Sequence, residues 1–110
     1  MEATKTKNLI TEAIAAETES AKKNWGLTYH SKHEAWAVLR EEVEEAEAES
    51  ELIKVMLEKS WAYVRHDNFT IKGHEQMVEA IKKHALRLAL EAVQVAAVAQ
   101  KYIDTLEEVK

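Results

Sequence analysis

The stretch ALRLALEAVQVAAVA, Ala85 to Ala99, decides how this chain is read. It has no glycine or proline and is interrupted by only three polar residues, Arg87, Glu91 and Gln94. On a helix, at about 100° per residue, those three fall within roughly 60° of one another and form one polar stripe on an otherwise apolar cylinder. A helix apolar nearly all round is expected in the interior of a bundle. A carboxylate carried inward must meet a cation, a metal or hydrogen-bond donors, or take up a proton. The question posed by the sequence is what Glu91 faces.

The remainder of the 110 residues reads as all-α. With no proline, no cysteine and only two glycines, turn chemistry is scarce and helix propensity is high. Disulfides, thiolate metal sites and Cys nucleophiles are excluded together. A hydrophobic content of 46% is enough for a modest core in a single domain spanning residues 1–110. Fifteen Lys/Arg against twenty Asp/Glu give a net charge of -5 without a basic cluster, which argues against a nucleic-acid partner. No apolar run reaches the roughly 18 residues of a membrane span and no signal-peptide pattern occurs, so the expectation is a soluble, cytoplasmic protein with no membrane partner.

Outward from the central stretch, the last helix is expected over about 74–106. The turn before it, Arg65 to Gly73 (RHDNFTIKG), draws loop chemistry from Asp-Asn and Gly. A second helix begins at a capping box, Ser31-Lys32-His33-Glu34, and keeps helical phase over 32–65, with a break near residue 50 left open. Its expected core stripe runs from Ala35 and Trp36 through Val43 and Leu57 to Trp61 and Val64. A first helix over about 4–24 places Leu9, Ile10, Ile14 and Trp25 on one side, with Gly26 just past its end. Three to four helices, five at most, joined by short connections, give an antiparallel helical bundle.

The acidic run from Glu41 to Glu49 reads at first as a solvated face. Taking Glu42 as reference, however, Ala35, Val38, Leu39, Ala46 and Ile53 all project within about 60° of it, so Glu42 lies inside the apolar arc. Glu49 shares that line, Glu45 sits at the edge, Glu41 lies further out, and Glu44 and Glu47 point away. Two helices thus aim polar groups inward, Glu42 and Glu45 from one and Glu91 and Gln94 from the other. Carboxylates converging without a cation raise one another's pKa, and a hard divalent ion resolves that conflict: oxygen donors suit Mg²⁺ or Mn²⁺. The alternatives are pairing with Lys83, Arg87 and Lys101, which follow the Glu91 stripe, or use of the stripe as a dimer seam.

Leu39-Arg40-Glu41-Glu42-Val43-Glu44-Glu45-Ala46 is similar to the EExxE segment of the MazG-like all-α nucleoside triphosphate pyrophosphohydrolases. Glu91-Ala92-Val93-Gln94, followed by small apolar residues, resembles their second motif, ExxD. The resemblance covers residues 30–105, and the EEVEEA and EAxQVAA wording is like that of phage and prophage-type members. It implies a helical domain, a homodimer or homotetramer, that uses Mg²⁺ to split a nucleoside triphosphate into the monophosphate and pyrophosphate. By the same match Glu42, Glu45 and Glu91 are metal ligands, with Gln94 where the family usually has Asp. Glu41 is a further ligand or the base that orients water, and Glu45 is a second catalytic carboxylate. Lys83, Arg87 and Lys101, on or beside the stripe, are the phosphate-binding candidates, with a salt bridge from Arg87 to Glu91 as an equal alternative.

Trp25, Tyr29, Trp36, Trp61 and Tyr63 read as core aromatics, and no base-binding residue is assigned. His30, His33, His74 and His84 read as exposed helix-start residues. The runner-up function is a catalytically degenerate helical oligomer acting as a structural or interaction module. In that reading the amide of Gln94 marks the loss of a ligand.

Overall fold

Three helices make up the chain: α1 (Glu2–Trp25), α2 (Lys32–Arg65) and α3 (Ile71–Glu108). A computed structural model describes residues 2–66 and 70–108. The Asp67-Asn68 part of the expected turn lies outside the described residues.

Local chemistry sets the ends. Gly26 adopts a φ of 97° and donates its N–H to the Lys22 carbonyl at 3.0 Å, closing α1 in a left-handed conformation that costs glycine nothing. Ser31 caps α2 by accepting from the Glu34 N–H at 3.1 Å. Glu34 in turn accepts from the His30 N–H at 3.3 Å, one residue further out than a capping box requires. α2 runs unbroken through residue 50, which closes the question of a break there. α3 starts three residues earlier than the glycine suggests, because Thr70 caps it by accepting from the Gly73 N–H at 3.0 Å. Gly73 is therefore a helical residue. A Cβ there would stand 2.8 Å from the Tyr63 ring, which gives the glycine a packing reason rather than a turn reason.

α2 and α3 form an antiparallel hairpin, with the Tyr29 N–H donating to the Thr105 hydroxyl at one end and Glu49 meeting His84 further along. α1 packs against the second half of α3, tethered by the Lys22–Asp104 ion pair at 2.9 Å, and does not pack on α2. The helices therefore lie side by side with α3 in the middle. The result is elongated: the radius of gyration is 18.6 Å, where a compact chain of this length has about 13 Å.

That arrangement overturns the expected core. Among the described residues only Ala35 and Ala97 are fully buried apolar side chains. Leu86 is 63% exposed and Leu90 59%, so the apolar stretch that opened the reading is not enclosed by this chain. Much of the α2 stripe is open as well, including Trp36, Val43, Leu57, Trp61 and Val64, and so are Leu9, Ile10 and Trp25 of α1. The physical reason is layering: a core needs two packed layers, and one row of helices leaves both of its faces to solvent. Among the described residues, no helix is long and apolar enough to cross a membrane.

Candidate metal centre

Antiparallel pairing brings the middle of α2 beside the middle of α3, and there Glu42, Glu45 and Glu91 converge. One carboxylate oxygen from each lies within 4.8 Å of the other two. Glu42 and Glu91 are half-buried and Glu45 is exposed, so the cluster sits at a mouth rather than in an interior. Burial, then the charges of Glu45, Glu91, Glu41 and Glu17, push the Glu42 carboxyl above the usual range. Glu91 is raised by burial first, then by the hydrogen bond its protonated form donates to Glu45, and by the charges of Glu45 and Glu49. Glu42 and Glu91 are thus carboxyls whose ionisation the neighbouring charges oppose.

The cations expected nearby do not neutralise them. Lys83 and Arg87 are exposed, and neither forms an ion pair with a described carboxylate, so the Arg87–Glu91 salt bridge is not made. Lys101 is only 4% exposed, but its Nζ lies 4.3 Å over the Tyr29 ring. Gln94 is half-buried on the same stripe, while Glu41 is exposed, flanking Glu42.

The donor set fits a hard divalent ion. Mg²⁺ holds oxygens at about 2.1 Å and hence about 3–4 Å from one another. Separations of up to 4.8 Å leave the three carboxylates little distance to move. Such an ion would remove the repulsion that raises Glu42 and Glu91.

Two arrangements escape the sequence reading. His84 is no exposed helix-start residue: it lies in mid-α3, half-buried, with Nδ1 2.8 Å from Glu49 Oε2. The signal was available, because Glu49 shares the inward line of Glu42 and must find a partner across the hairpin. The second is Tyr29, which serves as a platform for Lys101 and whose hydroxyl is raised by burial and by the charges of Glu42 and Glu34.

No protein-family model matches this chain, and neither a curated protein nor a solved structure does. The geometry defines an all-α chain with a three-carboxylate cluster bridging two antiparallel helices.

A pH dependence follows for the metal-free chain. Glu42 and Glu91 have folded pKa values above the ordinary carboxylate value of 4.5, so between these limits the folded state binds more protons than the unfolded one. Their contribution to stability is complete below the unfolded value and is lost as pH rises through the folded values. Glu34 and Asp104 are lowered, by His30 and Lys22 respectively, and their contribution is lost as pH falls through their folded values. The metal-free melting temperature is therefore expected to peak on the acid side of neutrality. Thermal melts across a pH series measure this directly, and a cation held by the cluster would abolish the fall toward neutral pH.

Proposed function

We propose that this chain is a Mg²⁺-dependent nucleoside triphosphate pyrophosphohydrolase of the MazG-like kind, converting an NTP or dNTP to the monophosphate and pyrophosphate. The observation that carries the reading is the convergence of Glu42, Glu45 and Glu91 from two helices with no cation among them. The two halves of the motif resemblance, EExxE and ExxQ, contain those three residues together with Glu41 and Gln94.

In this reading Glu42, Glu45 and Glu91 would hold the ion, with the amide oxygen of Gln94 as an additional neutral donor. When bound, the ion neutralises charge on the polyphosphate and orients water for attack on phosphorus. The exposed Glu41 carboxylate, beside Glu42, would be the base that takes a proton from the attacking water, and Glu45 would assist from the cluster edge. Among the described residues Lys83 and Arg87 have no ion-pair partner, which leaves their charges available to phosphate oxygens. Lys101 reaches the substrate only by leaving the Tyr29 ring. Lys101→Met should therefore raise KM while leaving the melting temperature within a few degrees of the parent, because its charge is not spent on a buried carboxylate.

The test is pyrophosphate release from a panel of NTPs and dNTPs with and without Mg²⁺. Turnover of at least one nucleotide, abolished by chelation and restored by Mg²⁺ or Mn²⁺, is the expected outcome. No turnover on any nucleotide, together with a melting temperature indifferent to Mg²⁺, would overturn it in favour of the degenerate module.

A further inference from the structure

α1 is held far less firmly than the hairpin it leans on. Every side chain from residue 3 to residue 13 is exposed, and in the rest of the helix only Ile14, Glu17, Thr18, Ala21 and Lys22 are covered at all. Among the described residues α1 does not pack on α2. Its fit to α3 is loose, with a groove of about 540 Å³ between Ile14, Thr18 and Lys22 on one side and Ala96 and Gln100 on the other. The tie across that groove is Lys22 Nζ, 2.9 Å from Asp104 Oδ2, an oxygen that is itself buried. The charge that α1 turns toward α2 works against docking: Glu17 is half-buried, and it adds to the charges that oppose ionisation of Glu42.

The same partners set the register. Lys22 meets Asp104, and Thr18 shares the groove with Gln100, so α1 and α3 run parallel and Thr18 is level with Lys101. On α3, Ala96 and Gln100 face α1, whereas Glu91 and Thr105 face α2 and the segment leading into it. Ala97 and Lys101 project about 100° round from Ala96 and Gln100, between the two faces. They therefore occupy the cleft between α1 and α2, where both are buried. The hinge is equally local. Gly26, at a φ of 97°, directly follows α1. The chain is fixed again two residues later, where the Thr28 hydroxyl donates to Glu108 at 3.2 Å and the Tyr29 N–H donates to Thr105 at 3.0 Å.

We infer that α1 is a hinged arm, which swings off α3 about Gly26 while the α2–α3 hairpin stays folded and so uncovers the buried ammonium of Lys101. A segment with few covered apolar side chains and a loose seat opens at a lower free energy than the elements around it. Two charges set the balance: Lys22 on Asp104 closes the arm, and Glu17 facing Glu42 opens it. Lys101 is a cation the closed arm withholds, so its access to any anion is controlled by α1. The motion of the arm stands apart from the enzyme reading, and only the use of Lys101 for phosphate rests on that reading.

Hydrogen exchange of the full chain, read peptide by peptide, tests the arm. Amides of residues 15–24 are expected to exchange at least about tenfold faster than those of residues 90–100, through openings that need no denaturant. Lys22→Met should speed exchange in residues 15–24 by up to about fivefold, the range for a partly exposed ion pair, and leave residues 90–100 unchanged. Glu17→Gln should slow it. A second readout needs no variant: with an amine-acylating reagent, Lys101 should react more slowly than the exposed Lys83, yet while residues 90–100 remain unexchanged. In Lys22→Met its acylation should rise by the same factor as exchange in α1. Equal exchange in the two segments, no acceleration by Lys22→Met, no slowing by Glu17→Gln, or Lys101 acylation that stays constant while α1 exchange rises would each overturn the inference.

Discussion

Glu91→Gln is expected to abolish pyrophosphate release while leaving the fold intact or firmer. Glu91 is the only carboxylate α3 brings to the cluster, and the amide keeps its shape while removing its charge. Loss of one oxyanion donor from a divalent site exceeds the 10–100-fold typical of groups that merely support ligands, so a fall of more than about 100-fold in kcat/KM is expected. The effect on the metal-free fold runs the other way. Burial, Glu45 and Glu49 all oppose ionisation of Glu91, so a neutral side chain there removes a repulsion that the parent tolerates near neutral pH. The melting temperature without metal should rise or hold, and its increase on adding Mg²⁺ should shrink. Undiminished turnover by Glu91→Gln would place the chemistry elsewhere.

The helices and the cluster were legible in the sequence for one reason: both are encoded by spacing along a single helix. Glu42 shares a line with Ala35, Val38 and Ile53, and Glu91 shares one with Gln94, so phase alone turned them toward one another. A break in α2 near residue 50 is undecidable from spacing, and α3 starts before Gly73 because Thr70 does the capping. What helical phase cannot state is what covers an apolar stripe. Trp36, Leu57, Leu86 and Leu90 carry the same pattern whether they pack inside one chain or between two, and the inference of an enclosed core followed from assuming the former. The resting place of Lys101 is beyond phase for a related reason. Position placed it on the polar stripe, but only the path of the Tyr29 loop decides that its ammonium rests on a ring.

Replacing His84 by Ala is expected to destabilise the chain by about 1–3 kcal/mol, the range for leaving a buried polar partner unsatisfied. The Glu49–His84 contact, 2.8 Å long and half-buried on both sides, is a side-chain link between α2 and α3 beside the carboxylates. Removing the imidazole strands Glu49 in a position where its charge already acts on Glu91. The loss should therefore exceed that of Glu49→Gln, which deletes a negative charge from the same row and keeps a group able to hydrogen-bond the ring. In Glu49→Gln the Glu91 pKa, followed by carboxyl carbon chemical shifts, should fall because one of its opposing charges is gone. The double variant should recover part of the His84→Ala deficit, giving a coupling energy of about 0.5–3 kcal/mol in a double-mutant cycle of denaturant unfolding. Additive losses would mean that the pair contributes only packing. Coupling would show instead that the hairpin is registered by a polar contact whose carboxylate also sets the charge of the candidate centre.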